Sequence, residues 1–555
     1  MKFLKSLLII LLLILTSCSD NNTGEENIIF DDFGEPFFVE ETIRQVDKIN
    51  PLKVPNGNRG TNEMVIYTAH YGTYTQTNEW GVEAIIENGV VVSIGGNNSA
   101  IPDSGMVISG HGTAADWILK NISIGDKIEL SGTTLKVVVS ENSIVQRGQL
   151  LIQNGKTRME TISHPSVSSA KLEEIEKDFK NKVNLFVKAK QKADSSKVKQ
   201  LAEETLLLAK DYYYHTFPSL PDHERAAWIE IHGMSKEKLE DVFRDLADIG
   251  FNALCPEVIY RGWTIFPEAP CGMSQYPGFE GRDPLQEMID LGKQYDIKII
   301  PWVWVYFVGV DMFPALINAR SEWLALSRTG KHPSQAEAGF HYFCPSRPEV
   351  LDFWLEIYQY MFSKYDLHDL QLDYIRYPGE PPGNDYCYCN VCREKFRSQN
   401  GVDPLDITPK QAEMWAKWDL FRQENVNRFV QAVSEKFSHV NLSAAVVPDR
   451  ETSLFAKKQD WGKWLSNNWL KTAYIMSYTS DVERVANDID YMNNQMTSQT
   501  KGIVGLGPYL GLKPEVLLQE IDLARSKNLD GSCLFLYNAL TDEQKYALKK
   551  GPYRN

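Results

Sequence analysis

From residue 226 onward the chain repeats one unit eight times: an apolar run of strand length, then a longer run patterned for a helix. The strand-like runs lie at 226–231, 251–259, 297–303, 369–373, 440–447, 471–476, 502–506 and 531–536. Helical stretches are interleaved, the first capped by Ser235 and stopped by Gly250, others at 284–295, 349–365, 414–437, 461–465, 482–494 and 514–526. The runs are apolar throughout rather than alternating, which marks strands covered on both faces. Eight such units predict an α/β fold, a parallel (β/α)8 TIM barrel. An open doubly wound sheet is the competing architecture, weakened because no Gly-x-Gly-x-x-Gly follows the first strand. The usual domain size of roughly 100–200 residues suggests three or four domains for 555 residues. One barrel can itself reach about 250 residues or more, so 224–555 is assigned to a single barrel.

Upstream the pattern changes. β-Branched runs at 63–68, 81–86, 89–94, 106–109, 127–130 and 135–139 are separated by Gly and Asn turns, with one short helix at 114–120. They predict a small β-rich domain over 60–165. Its segment 101–112 loosely resembles an accessory module of secreted glycosidases. His111, set between glycines with no His or Asp cluster beside it, reads as a turn residue. Residues 171–179 and 198–214 carry apolar positions at 3–4 spacing among dense charges, so a helical bridge is expected over 166–223. At the start, a basic Met1–Lys5 precedes an apolar run at 7–15, too short to span a bilayer comfortably. Leu15-Thr16-Ser17-Cys18 resembles a bacterial lipobox. That resemblance implies a signal peptide over 1–17, lipidation of Cys18, and a membrane-anchored lipoprotein of the cell envelope. The polar, acidic residues 19–26 suit a flexible tether, assigned to 18–59.

Net charge is −15, so a nucleic-acid partner is not expected. Aromatic residues make up 11% of the chain, enough both to fill a core and to offer rings to sugars. Of eight cysteines, seven remain once Cys18 is set aside, and an odd number excludes an all-paired disulfide framework. Cys387, Cys389 and Cys392 cluster closely. Their spacing fits a structural zinc site with a fourth ligand such as Asp385, or a disulfide plus a free thiol.

Reactive groups of (β/α)8 barrels lie at the C-terminal ends of the strands. Here those ends deliver His232, Glu257, Trp302, Trp304, Asp373, Tyr374, Arg376, Asp449, Tyr478, Tyr509 and Tyr537. Carboxylates among aromatic rings are what glycoside hydrolysis needs: two acids flanking the bond and flat faces for the sugar. Asp373 stands where an apolar strand runs out, and Arg376 close behind is expected to keep it ionised as nucleophile or base. Asp449 and Glu257 are the candidate general acids. Trp302, Trp304, Tyr374, Tyr478, Tyr509, Tyr537, His232 and Arg376 are the expected substrate contacts.

Leu-Asp-Tyr-Ile-Arg-Tyr-Pro at 372–378 resembles the hallmark of the glycosyl-hydrolase-like 10 family of bacterial secreted and lipoprotein barrels. Matching stretches open the barrel at Glu224–Trp228 and recur at Trp415–Trp418 with Arg422, Gln459–Leu465 and Tyr474–Tyr478. The resemblance spans most of 224–540. It implies a TIM-barrel glycosidase acting on a bacterial glycan, with Asp373 as the central acid; the expected substrate is a cell-wall glycan or other polysaccharide, and no cofactor is expected. A glycan-binding lipoprotein on a barrel without catalysis is the alternative. A metal-dependent hydrolase would need clustered His and Asp ligands at the strand ends, where only His232 stands.

Overall fold

A computed structural model of the chain describes residues 33–53, 60–78, 81–313 and 315–554. The signal peptide, Cys18 and the first part of the tether lie outside these residues. Among the described residues, no helix is long and apolar enough to cross a membrane.

Eight parallel strands close into a barrel. In chain order they are Glu224–Ile229, Ala253–Tyr260, Trp302–Trp304, Asp369–Asp373, Asn441–Val446, Thr472–Met476, Lys501–Leu506 and Gly531–Leu534. They are called strands one to eight below. Each pairs with its successor, and strand eight returns to strand one in the register Gly531↔Glu224 to Leu534↔Ala227. A helix or helices follow every strand. Local sequence explains the boundaries. Ser235 accepts from Lys238 N at 3.2 Å at the start of helix Lys236–Ile249, and Gly250 ends that helix at φ +104°. The third strand-like run splits into Lys298–Ile299 and Trp302–Trp304. Pro301 stands at the break, where it has no N–H to give the ladder.

Closure sends half of each strand's side chains to the axis. Trp228 of strand one donates Nε1 to Gln371 Oε1 of strand four at 2.6 Å, a bond between strands that are not neighbours. Its ring meets Tyr474 and Phe535 edge-on, each at 5.9 Å between centroids. Strand seven makes room with Gly505, where a Cβ would sit 2.9 Å from the Trp228 ring.

Ahead of the barrel stands an eight-stranded sheet, all six expected strands being present. It is antiparallel apart from its two-residue edge strand. Two further strands, Val39–Gln45 and Lys48–Ile49, correct the tether assigned to 18–59. Val39–Gln45 pairs antiparallel with Thr134–Ser140 along its whole length. Its side chains are mostly exposed, so the strand is held by backbone hydrogen bonds that no hydrophobic pattern announces. The bridge assigned to 166–223 holds two helices, Ser169–Gln191 and Ser195–His215; a long helix not expected there, Glu141–Thr161, closes the preceding domain and packs against Ser195–His215. Tyr213 and Tyr214 tie the bridge to the barrel helix Pro514–Ser526 through Gln519 (2.9 Å) and Glu515 (3.2 Å).

After strand three a small sheet of Phe307–Gly309, Pro333–Ser334 and Phe340–Tyr342 is inserted, which the apolar pattern did not predict. Its strands are two or three residues long, below the length at which periodicity can be read.

The tightest point of closure is Gly531. A Cβ there would lie 2.2 Å from the Glu224 carbonyl oxygen, and a backbone atom in a closed ladder cannot move aside alone. Gly531→Ala is expected to cost about 1–3 kcal/mol, measured as a lower urea midpoint with an unchanged slope.

Candidate active site

Strand four ends on Asp373, and the next residue, Tyr374, adopts φ +48°. A bulky residue in the left-handed region is strained. The turn lets Tyr374 N donate to Asp373 Oδ1 at 2.5 Å, while Trp302 Nε1 donates to Oδ2 at 2.9 Å. Both carboxyl oxygens are therefore held, and the group is almost completely buried. Burial pushes the Asp373 carboxyl above the usual range, against the opposing pull of the Tyr374 N–H, the Trp302 indole and Arg376.

Glu257 belongs to strand two, level with Trp302 across the ladder, and only 1% of it is exposed. Its Oε2 lies 2.6 Å from His232 Nε2, bridged by one proton, and its Oε1 has no protein partner. Burial, then the Glu230 and Asp373 charges, raises the Glu257 carboxyl well above the ordinary value, with Arg261 opposing. His232 is pushed down to about 4, by burial first and then by Arg261. Near neutral pH the imidazole is thus uncharged. Of the two carboxyls, Glu257 holds its proton to the higher pH.

Rings form the walls. His232 lies over Tyr260 at 3.7 Å between centroids, and Tyr260 meets Trp304 edge-on at 6.0 Å. Trp304 contacts Tyr374 at 5.0 Å. Tyr478 stacks on Phe535 at 5.2 Å, and Tyr509, about half exposed, meets both edge-on. Glu257, Asp373, His232, Trp302, Trp304, Tyr374, Tyr478 and Tyr509 are thus joined by direct contacts or by mutual electrostatic influence.

Three expectations are corrected. Asp449 is exposed and stands beyond strand five, where its Oδ1 accepts from Thr452 N at 2.8 Å and caps the following turn. Tyr537 donates its hydroxyl to Asp245 at 2.6 Å, on the helix Lys236–Ile249, away from the other rings. Arg376 is not the ion-pair partner of Asp373. Its bonds go to Glu337 at 2.9 and 3.1 Å, and its guanidinium lies 4.8 Å over the Tyr374 ring.

Glu337 was not foreseen. It comes from the insertion after strand three and is mostly buried. Arg376, Lys457, the Tyr342 hydroxyl and Gly379 N all donate to it. Burial alone would raise its carboxyl, yet Arg376 and then Lys457 override this and hold it at about 2. Lys457 itself is depressed, by burial and then by Arg376, so Arg376 is the cation that dominates the site. Glu337 is a fixed anion that ties the insertion to the loop after strand four. No sequence motif surrounds it. The one available signal was a lone carboxylate within Ala336–Gly339, between small residues.

Cys387, Cys389 and Cys392 are joined by Cys344, also from the insertion after strand three. Asp385, the expected fourth partner, is instead bound to buried Arg422. A separate cavity of about 630 Å³ opens at the other end of the barrel, lined by Glu224, Asn252, Lys298, Asp369 and Asp530. Lys298 bridges Glu224 (2.6 Å) and Asp369 (3.7 Å) there. That face serves stability in this fold, whereas chemistry belongs to the C-terminal strand ends.

A family model described as glycosyl hydrolase-like 10 matches residues 222–522. Among solved structures, the chain is similar to the glycoside hydrolase domain of PgaB (BpsB) from Bordetella bronchiseptica. The identity is 11%, covering 60% of this chain and 100% of that one, with a TM-score of 0.47. It is also similar to alpha-L-fucosidase isoenzyme 2 from Paenibacillus thiaminolyticus, at 16% identity, 60% and 49% coverage and a TM-score of 0.43. The catalytic domain of beta-amylase from Paenibacillus polymyxa gives 11%, 60%, 98% and 0.42. No curated protein matches the sequence.

The Glu337 lock sets a pH dependence of stability. Its folded value near 2 lies below the unfolded value of 4.5. The stabilisation is therefore present above pH 4.5 and lost as pH falls through 2. Glu337→Gln is expected to cost on the order of 2–3 kcal/mol near pH 7. In denaturant titrations its deficit against the natural protein should shrink between those two pH values.

Proposed function

The chain belongs to the glycosyl hydrolase-like 10 family, and from that premise and the site geometry we propose that it is a glycoside hydrolase. One observation carries the reading. Two buried carboxyls on strands two and four, Glu257 and Asp373, flank Trp302 of the intervening strand three, have raised proton affinities of unequal size and lie within an aromatic cup. Such a pair divides the labour of glycosidic cleavage. Glu257 is the general acid, protonated by virtue of its burial and positioned by His232. Its unpartnered Oε1 is the atom offered to the glycosidic oxygen. Asp373 is the carboxylate that acts as nucleophile or base, oriented by Trp302 and Tyr374. Trp304, Tyr374, Tyr478 and Tyr509 supply faces for sugar rings. Arg376 supports the site through Glu337.

The substrate class is a bacterial cell-wall glycan or another polysaccharide, reached from a lipid anchor at Cys18. The support for the anchor is the Leu15–Cys18 motif behind its apolar run. Cys18→Ser is expected to move the protein from the membrane fraction to the soluble fraction of the envelope. Equal retention of the variant by membranes contradicts the anchor.

Reducing-end release by the mature protein on a panel of cell-wall and plant polysaccharides tests the enzyme reading. Asp373→Asn and Glu257→Gln should each lower kcat by about 100-fold or more while melting remains cooperative. Glycan binding with no reducing-end release by the natural protein would leave the non-catalytic reading instead. Both carboxyls are raised, so both limbs of the kcat/KM profile should lie above the usual carboxylate range. The acid limb follows loss of the Asp373 proton and the basic limb loss of the Glu257 proton. An optimum below about pH 4 would contradict this assignment.

A further inference from the structure

The four cysteines beside the active-site insertions carry an inference independent of the catalytic reading. Cys344, Cys387, Cys389 and Cys392 are buried, and their sulfurs all lie within 4.8 Å of one another. Cys344 Sγ is 3.4 Å from Cys392 Sγ and 3.6 Å from Cys389 Sγ. A disulfide requires about 2.05 Å, so the sulfurs are arranged as neighbours and not as bonded pairs. A zinc–sulfur bond of about 2.3 Å in a tetrahedron places sulfurs about 3.8 Å apart. The observed spacing matches that edge.

Buried thiols can also fill a core as small apolar groups. Two features speak against that reading here. The sulfurs converge from two chain segments, with Cys344 48 residues before Cys392. Backbone N–H groups are also aimed at them: Leu326 N donates to Cys387 Sγ at 3.3 Å, and Cys392 N donates to Cys389 Sγ. Donors of this kind stabilise thiolates and orient them around an ion.

We propose that Cys344, Cys387, Cys389 and Cys392 bind one zinc ion in a closed, all-sulfur structural site. Four sulfurs this close surround a single atom and leave no room for the sulfides of a cluster. Four protein ligands leave no open position, so the ion is not a Lewis acid for the reaction. Binding releases the thiol protons to solvent and changes no oxidation state. The ion joins the insertion after strand three, which carries Glu337 and Tyr342, to the loop after strand four, which carries Tyr374 and Arg376. It therefore ties together the two segments that also meet in the Glu337–Arg376 pair.

Metal analysis of the full chain, purified without chelator, tests this. About one zinc per chain is expected. A mercurial thiol reagent should release that zinc to a chromogenic chelator as the four thiols react. Cys392→Ser should lose most of the zinc and melt at lower temperature, while Cys271→Ser, outside the cluster, should keep its zinc. If Cys392→Ser does not fold, the stoichiometry and mercurial release of the natural protein still decide the matter. Iron in place of zinc, no metal after zinc is supplied, or an intact mass reporting disulfides among these four cysteines would each overturn the proposal.

Discussion

The parallel ladder between Gly531–Leu534 and Glu224–Ala227 leaves the barrel without a strand edge. Once the ladder closes, every second strand residue points to an axis that water does not reach. Trp228, Trp302, Gln371, Tyr474 and Phe535 fill that axis, and the Trp228–Gln371 bond pairs the indole N–H with the amide oxygen across the interior, while Gln371 Nε2 has no protein partner. The floor of the candidate site is therefore rigid and of low polarity before any catalytic group is considered.

Low polarity governs the chemistry. Glu257 sits within that interior with one oxygen on His232 and the other unpartnered, so its neutral form is favoured. Asp373, almost as buried, is offered an indole and a backbone N–H, and its shift is smaller in kind. The same medium therefore separates two carboxyls by what each is bonded to. The strained Tyr374 is part of this separation, because its φ of +48° brings the N–H back to Asp373.

Around this floor the loops are fixed by charge and by sulfur. The barrel places the insertions after strands three and four side by side, and the segments that flank Asp373, 305–347 and 374–389, have only short regular elements to bury. Glu337 draws Arg376, Lys457 and Gly379 together, while buried Arg422 holds Asp385 and Asp419. Replacing a hydrophobic core with paired charges requires that every partner be present. Each carboxylate named here meets a cation, while Arg422 Nε is left without a protein partner.

Much of the architecture was legible in the sequence because buried parallel strands are apolar along their whole length, and eight such runs separated by helices leave few alternatives. The exposed strand Val39–Gln45 was illegible because backbone pairing carries no side-chain pattern. Asp373 was legible from its place at the end of an apolar strand. Glu257 and Asp449 looked equivalent, yet a distinction was present: Glu257 lies inside an apolar run from Ala253 to Tyr260, while Asp449 is followed by Arg450 and Glu451. The sequence by itself determined the closed α/β barrel, its aromatic strand ends and the place of Asp373 at the end of strand four, since these follow from local periodicity and strand position. Only the tertiary structure decided that Glu257 meets His232, that Arg376 serves Glu337, and that Cys344 completes the sulfur cluster. Those contacts join separate strand ends and insertions, whose distances are set by barrel closure and not by spacing along the chain.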